Sequence, residues 1–578
     1  MFKSVLIGDV EVNPSNTNGS GCVMNTSTIV RKFALMNFMG MITTKSIGPE
    51  PHEGNLEAIV AQIKQNDPFS WTNAVGLGNP GKDAFSEEMS KYFVEIDEGS
   101  NTKINTSVFA ADRAGFEGVV RRVAPFSHVI EGNFGCPHSP PYGSIIGSDV
   151  ELVYSITEGI VGASSVPVVI KLTPNVDYIG EMAIAAVEAG ASAIAAINTV
   201  TPIEVADWTG SPTLWNGKGG QSGRVVKQRG LECCVDIAKA LRSYGDEIPI
   251  IAGGGIIHTQ DARDYKEAIE KVSSCPIIYS VGTGLRDIND RQLREYYEAH
   301  FNRRPPTKSH VFNVPKPFTI DHIVEVDDDL REIWFNEGIM AKPGQFVFAY
   351  VPGVGEKPFS IANDMPLALG VRQTGLTRTD GRWAGKQCLT AAIFEADEGD
   401  QIGIRGAYGT PVTVSIFDSY LVLGGTGGAP GNFLASRLLK PITFLGGKTE
   451  SQLLFEEALA SHGELRVATD DGSKGFPGNV VECFEDYLEN ETFDPNGHVY
   501  VSGPEIVIRK TIEATRGRFN LDDVHIFLER QTECGVGYCG HCEDVGTGTR
   551  TCVNPLPTAA TIGSSPYKRN HLGELKKI

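Results

Sequence analysis

Over residues 1–300, short apolar β-rich runs alternate with longer stretches of helical spacing. HVIEG (128–132), PVVIK (167–171), AIAAI (193–197), PIIA (249–252) and IIYS (277–280) are short β-rich runs of strand length. Between them, GEMAIAAVEAG (180–190) and TQDARDYKEAIEKV (259–272) carry apolar positions at helical intervals. Strand and helix repeating over this length predict a (β/α)8 barrel, with a doubly wound sheet as the alternative. The pattern breaks at 302–317, NRRPPTKSHVFNVPKP, where four prolines and several basic residues read as a linker. From about 318 to 416, runs such as QFVFAYVP and QIGIRG with turn signals predict a small antiparallel barrel. From 418 to 530 the alternation returns through YLVLGG, ITFLGG, LRVATDD and HVYVSGP, the pattern of a parallel nucleotide-binding sheet. The expected organisation is therefore 1–302, a linker at 303–317, 318–416, 417–530 and a cysteine- and glycine-rich stretch at 531–578.

The chain's 578 residues fit two to four cores rather than one. A formal net charge of -20 repels phosphate backbones, so nucleic acid is not an expected partner. No apolar run approaches the roughly 20 residues that span a bilayer, and no membrane role is expected. The opening MFKSVLIGDVEVNP lacks the basic start and apolar core of a signal peptide, which predicts a cytoplasmic protein.

Four of the eleven cysteines crowd into CGVGYCGHCEDVGTGTRTC: Cys534, Cys539, Cys542 and Cys552. In a reducing compartment such crowding points to metal rather than disulfides. The spacing C-x4-C-x2-C followed by a further Cys is that of plant-type [2Fe–2S] sites. Glycines at 535, 537 and 540 let the backbone turn close to a metal centre. Zinc is the competing reading, although zinc favours paired C-x2-C units and there is one such pair here. His541 is a further candidate ligand, but beside Cys542 it is expected to point away. Cys233 and Cys234 read as buried structural cysteines.

An iron–sulfur cluster moves single electrons and needs a redox partner. Lys357-Pro358-Phe359-Ser360 is similar to the Arg-Pro-x-Ser element of ferredoxin-reductase-like flavoproteins, in which the cation and hydroxyl contact FAD. Lys at the Arg position keeps the charge but loses the bidentate fork. GGTGGAPG (424–431), with Gly425 and Gly427, follows one strand candidate and precedes a helix, and such a turn offers N–H groups to a diphosphate. With ATDDGSKGFPGNV (468–480) and VSGPEIVIRKTIEA (501–514), these elements resemble the electron-transfer subunit of two-component dihydroorotate dehydrogenases over about 312–563. That resemblance implies FAD, a [2Fe–2S] cluster and NAD+. It places further FAD contacts near Gly370–Arg372 and Gln387–Cys388, loosely because of the insert TRTDGRWAG.

NPSNTNGSG (13–21), TTKS (43–46), NAVGLGNPG (73–81), EGNFGCP (131–137), VVIKLTP (168–174), INTV (197–200), GGQSG (219–223), AGGGI (252–256) and VGTGL (281–285) occur in this order. Together they resemble the catalytic subunit of class 1 dihydroorotate dehydrogenase, an FMN-carrying (β/α)8 barrel. The resemblance implies that Gly254, Gly255, Gly282 and Thr283 hold the FMN phosphate, as loops after barrel strands seven and eight commonly do. It further implies flavin contacts from Ser20, Lys45, Ser46, Asn105, Asn133, Lys171, Ile197 and Gly223. Substrate contacts would come from Lys45, Asn73, Gly76, Leu77, Asn133, Asn198 and Thr199, where carboxamides supply both donors and acceptors to the amide edge of dihydroorotate. Lys45 and Lys171 would also stabilise an anionic reduced flavin. A lone lysine is otherwise a solvated surface charge, but Lys171 sits inside an apolar run.

Cys136 matches the catalytic base of the family, with Lys45 beside it in the catalytic set. A free thiol has a pKa of about 8.5, so activity is expected to rise with pH unless the site depresses that value. The loop departs from the family pattern at Gly135, where Ser is usual, and at His138, where Asn is usual. Cys-Pro-His also occurs in dihydropyrimidine dehydrogenases, which act on uracil and thymine. NAVGL favours dihydroorotate, and the additional [4Fe–4S] cysteine runs of the large dihydropyrimidine enzymes are missing from the sequence.

The expectation is an α/β protein: an FMN-binding (β/α)8 TIM barrel, then a ferredoxin-reductase-like module with a β-barrel FAD domain and a Rossmann-like NAD domain, then a [2Fe–2S] domain. It would oxidise dihydroorotate to orotate in pyrimidine biosynthesis, with electrons passing from FMN through the cluster and FAD to NAD+. By analogy with related barrels it would be a homodimer. Three alternatives stand beside this: a dihydropyrimidine dehydrogenase, a reductase serving another electron carrier, and an iron–sulfur sensor on an inactive barrel. No acidic ribose-binding residue stands out after GGTGGAPG, which leaves the carrier open.

Overall fold

The computed structural model describes residues 2–64, 67–135, 145–245, 247–305, 312–378, 385–562, 567–569 and 575–577. In the first half, eight parallel strands form one sheet. Its order is Asn16–Asn18, Ile277–Val281, Ile250–Gly253, Ala193–Ala196, Val168–Lys171, Val129–Asn133, Lys103–Val108 and Met41–Thr43. Each strand neighbours its sequence neighbours around the ring, as in a (β/α)8 barrel. The remaining seam, between Asn16–Asn18 and Met41–Thr43, is bridged by side chains. Asn18 Nδ2 donates to the Thr43 carbonyl at 2.7 Å, and Thr43 N donates to Asn18 Oδ1 at 3.0 Å. A carboxamide here mimics a peptide unit and satisfies buried backbone groups that two strands too far apart to pair would leave open.

The strands Ala193–Ala196 and Ile250–Gly253 consist of small or β-branched residues and are buried throughout, which suits a sheet covered by helices. Covering helices include Arg113–Val123, Val150–Ala163, Lys227–Leu241 and Thr259–Glu270. Cys233 and Cys234 lie buried in Lys227–Leu241 as expected, and burial raises the Cys233 pKa to about 11.

An antiparallel sheet of four strands, ordered Val200–Ile203, Gly219–Gly223, Asp67–Asn73 and Val60–Lys64, grows from the strand C-terminal face. The segment between its first two strands touches the next unit: Tyr350 Oη donates to Asp207 Oδ2 at 2.9 Å, and the Trp208 and Tyr350 rings meet edge-on at 5.8 Å. That unit is a closed antiparallel barrel of six strands, from Phe312–Asp327 to Gln401–Tyr408. Its first strand begins inside the stretch read as linker. Phe312 and Lys316 pair with Gly406 and Ile404 of the last strand, with a bulge between them. Prolines 315 and 317 do not exclude strand structure at a bulge or where their missing N–H is not needed.

A six-stranded parallel sheet follows, ordered Phe476–Pro477, Glu464–Thr469, Ile442–Gly447, Ser419–Gly424, His498–Ser502 and Val524–Phe527. The Cys534–Cys552 segment then returns to the first barrel. Among the described residues no helix is long and apolar enough to cross a membrane.

Candidate functional site

Two adjoining cavities open at the C-terminal ends of the eight parallel strands. The first, of about 110 Å³, is lined by Ser20, Lys171, Ile197, Gly223, Gly254, Gly255, Gly282 and Thr283, all anticipated as cofactor contacts. The second, of about 130 Å³, is lined by Lys45, Ser46, Asn73, Gly76, Leu77 and Asn133. Ser20, Lys171, Asn198 and Thr199 line both. Asn105 is not in either wall. It is buried beneath them and donates to Thr43 Oγ1 at 3.1 Å, while its Oδ1 has no partner. Cys136, with Pro137 and His138, lies outside the described residues.

The glycines form a cradle. Gly255 has φ +72, and a Cβ there would lie 2.8 Å from the Gly223 carbonyl oxygen. Only glycine leaves that floor open to a group approaching the backbone.

A buried polar network orders the second cavity. Lys171 Nζ donates to Ser20 Oγ at 2.8 Å and stands 4.0 Å from Glu131 Oε1. Glu131 Oε1 accepts from Ser107 Oγ at 3.1 Å, and Ser107 and Ser46 share a hydrogen bond of 2.9 Å. Asn133 donates to Ser46 Oγ at 3.0 Å and accepts from Asn198 Nδ2 at 2.9 Å. The Thr199 hydroxyl is buried without a partner. A satisfied network of this kind fixes the carboxamides in place.

Sequence reasoning missed Tyr538 and Cys22. Tyr538 lies between Cys534 and Cys539 in sequence, yet its side chain lines both barrel cavities, and Cys539 lines the second. Burial pushes the Cys22 thiol pKa up, so it stays protonated and donates to Tyr538 Oη at 2.7 Å. Arg286, another residue without a sequence signal, places its guanidinium 3.0 Å from the Trp71 ring centroid, and burial lowers its pKa to about 10.

Cys534, Cys539, Cys542 and Cys552 are all buried and converge. The N–H groups of Tyr538 and Cys539 donate to Cys534 Sγ at 3.3 and 3.4 Å, and Gly537 N donates to Cys552 Sγ at 3.2 Å. Cys542 and Cys552 Sγ are 3.2 Å apart. N–H groups aimed at sulfur stabilise thiolates, the form a metal centre requires. A Cβ at Gly537, where φ is +69, would meet Val553 and Arg550 at 2.8 and 2.9 Å. His541 is buried and turned toward Glu533, with Nδ1 2.5 Å from Oε2. With Cys539, these two form a second ligand-capable group, their ligand atoms all within 4.8 Å of one another.

Two buried ion pairs hold this segment. Arg550 Nη2 contacts Asp290 Oδ1 at 2.7 Å, and Lys32 Nζ contacts Asp290 Oδ2 at 2.6 Å. Burial opposes ionisation of Asp290, but the two cations outweigh it and lower its pKa. In the six-stranded barrel, Arg405 meets Glu356 at 2.5 and 2.6 Å in a fully buried fork and reaches the Cys534 carbonyl at 3.4 Å. Burial opposes the Arg405 charge, yet the Glu356 carboxylate outweighs it and raises the Arg405 pKa.

A third cavity of about 370 Å³ lies between the six-stranded barrel and the parallel sheet. Lys357, Pro358, Phe359, Ser360, Gly370 and Arg372, for which the resemblance implied FAD contacts, line it. Gln387 and Cys388 do not line it; Thr374 and Thr390 stand in the wall instead. Gly425 and Gly427 form the turn between Ser419–Gly424 and Gly428–Ala435, and Thr426 between them lines the cavity. Ser502 and Thr551 in the wall belong to segments singled out in the sequence, whereas Phe527 and Arg530 carried no sequence signal. Arg530 is nearly buried, contacts Glu505 at 3.2 Å, and leaves its Nε without a partner.

The fold and the first two cavities define a (β/α)8 barrel with a phosphate-type glycine cradle and a carboxamide-rich pocket above it. The chain belongs to the dihydroorotate dehydrogenase family, whose profile matches residues 5–280. The catalytic subunit of dihydroorotate dehydrogenase B (NAD(+)) from Methanocaldococcus jannaschii is 33% identical over 268 residues, covering 46% of this chain and 84% of that protein. The corresponding subunit from Pyrococcus horikoshii is 35% identical over 246 residues, covering 43% of this chain and 76% of that protein. Among solved structures, one of an NADH-dependent reduced ferredoxin-NADP oxidoreductase is similar over 43% of this chain and 90% of that one, at 24% identity and a TM-score of 0.37.

Proposed function

We propose that the chain oxidises dihydroorotate to orotate in pyrimidine biosynthesis and delivers the electrons to NAD+ within one polypeptide. The observation that carries this reading is the reach of the Cys534–Cys552 segment: Tyr538 and Cys539 line the barrel cavities, and Thr551 lines the reductase cavity. The glycine cradle suits FMN, the orphaned Thr199 hydroxyl suits a polar ligand, the four buried thiols suit a [2Fe–2S] cluster, and the Lys357–Ser360 wall suits FAD. When bound, FMN would supply hydride acceptance from the substrate, the [2Fe–2S] cluster one-electron transfer, and FAD the collection of two electrons for hydride transfer to NAD+.

The chain's own residues do the rest. Gly254, Gly255, Gly282 and Thr283 receive the FMN phosphate on backbone N–H groups. Lys45 and Lys171 set positive charge at the flavin and substrate. Lys171 is held by Ser20 and partly balanced by Glu131, so its ammonium is oriented before substrate arrives. Asn73, Asn133 and Asn198 bind the amide edge of the ring, with Gly76, Leu77 and Thr199 closing around it. Cys136 takes the proton from substrate as general base. Its thiolate is the reactive form, so the rate rises with pH until Cys136 is ionised. In the reductase cavity Lys357 and Ser360 contact FAD, and the Gly425–Gly427 turn faces the nicotinamide dinucleotide. A homodimer through the first barrel completes the reading, and mass photometry tests it.

The main test is anaerobic mixing of the holoenzyme with a substrate panel. Dihydroorotate bleaches the flavin absorbance. Bleaching by dihydrouracil without bleaching by dihydroorotate would overturn the assignment.

A further inference from the structure

We propose that Tyr538 is the positioning residue through which the barrel cofactor and the cysteine-bound cluster exchange electrons. This rests on the electron path proposed above and adds the element that makes it continuous.

Tyr538 is gripped at both ends. Its N–H donates to Cys534 Sγ at 3.3 Å, so its backbone touches a proposed cluster ligand. Its carbonyl accepts from Val23 N at 3.0 Å and from Asn25 Nδ2 at 2.7 Å, both on the barrel. Its hydroxyl accepts from Cys22 at 2.7 Å, and the Arg286 guanidinium lies 5.5 Å from its ring. The ring forms part of the wall of both barrel cavities. One residue therefore spans from a sulfur ligand to the space assigned to flavin, with its ring filling the gap.

Electronic coupling between two centres falls steeply across empty or solvent-filled space and less steeply through packed covalent matter. A residue held at its backbone N–H, its carbonyl and its hydroxyl keeps the gap filled and its length constant. Each passage removes one electron from reduced FMN and reduces the ferric pair of the cluster by one. Two passages return anionic reduced FMN to oxidised FMN, with release of one proton, and NAD+ is the final acceptor. Tyr538 is neither oxidised nor reduced.

The test uses the anaerobic holoenzyme mixed with saturating dihydroorotate. Flavin bleaching is followed by stopped-flow absorbance, and the reduced-cluster signal by freeze-quench EPR. The readout is the lag between bleaching and the EPR signal, which is independent of how fast substrate reacts. Tyr538→Phe keeps the ring and should keep the lag of the unaltered protein. Tyr538→Ala should lengthen it at least ~10-fold, with an unchanged EPR line shape and iron content. Tyr538→Leu, whose side chain stops short of Cys22 and leaves the outer part of the gap empty, should also lengthen the lag and carries the same test where Tyr538→Ala loses iron. An unchanged lag in Tyr538→Ala, or a lag in Tyr538→Phe as long as in Tyr538→Ala, overturns the proposal. Loss of iron from both the Ala and Leu variants also overturns it, since Tyr538 is then a support for the segment. If flavin bleaches in the unaltered protein and no cluster signal ever appears, the electron path fails first and the proposal falls with it.

Discussion

The two barrel cavities and the third cavity are built in opposite ways. The former, of about 110 and 130 Å³, take their walls largely from loops at the strand ends of one sheet, and their polar groups are hydrogen-bonded to one another. The latter, of about 370 Å³, draws its wall from the six-stranded barrel, the parallel sheet and the cysteine segment. A site on one sheet inherits its precision from strand register. A site assembled from three units depends on whatever locks those units together. Here the locks are buried charges, Arg405 with Glu356 and Arg550 with Asp290, both placed against the cysteine segment.

The largest test of this contrast is to cut the segment that joins the two sites. Cys534→Ser should abolish dihydroorotate-dependent NAD+ reduction while dihydroorotate still bleaches FMN, because the barrel cavities stand on their own sheet. Equal loss of both activities would show that the sites are not separable. Within the barrel, Cys136→Ala should slow FMN bleaching by about 10²–10⁴-fold, the usual worth of a positioned general base. Undiminished bleaching would show that Cys136 is not the base.

The locks come next. Glu356→Gln leaves a buried guanidinium without its counter-charge and should destabilise the protein by about 3–5 kcal/mol, measured by urea unfolding of the holoenzyme. The barrel cavity should respond to a single methyl group. Gly255→Ala puts a Cβ 2.8 Å from the Gly223 carbonyl oxygen at φ +72 and should weaken FMN retention. Overpacking of this kind costs about 1–3 kcal/mol, roughly 5- to 150-fold in affinity, read by flavin fluorescence after gel filtration.

The last effect concerns the edge strand Val524–Phe527 of the parallel sheet, whose Phe527 lines the third cavity. Burial, with the neighbouring His498, lowers the His525 pKa from 6.5 to about 4. The fold thus favours the neutral ring. Stability is full above the unfolded value near 6.5 and declines as pH falls toward about 4, because the unfolded chain binds the proton first. His525→Phe should flatten that decline in urea unfolding curves taken across the window.

How much of this was legible in the sequence follows the same contrast. The eight-strand barrel was readable because its apolar runs are covered on both sides, and its site was readable because each motif follows a strand. Lys357–Ser360 was readable for the same reason, lying on the strand Gly355–Asp364. The onset of the second barrel at Phe312 was hidden by its prolines, since a bulge that accommodates them is a matter of register. Tyr538, Cys22 and Arg286 were hidden because their partners are remote in sequence: Cys22 and Tyr538 are 516 residues apart. His541 was expected to point away, and its burial against Glu533 follows from a loop closed by four cysteines.

The most direct test of the central claim is a single anaerobic turnover of the purified holoenzyme with equimolar dihydroorotate and NAD+, with orotate and NADH quantified together. One chain joining both sites predicts one NADH per orotate with no added carrier and at a rate independent of protein concentration. Orotate formed without NADH, or NADH formed only when an external carrier is supplied, would contradict it.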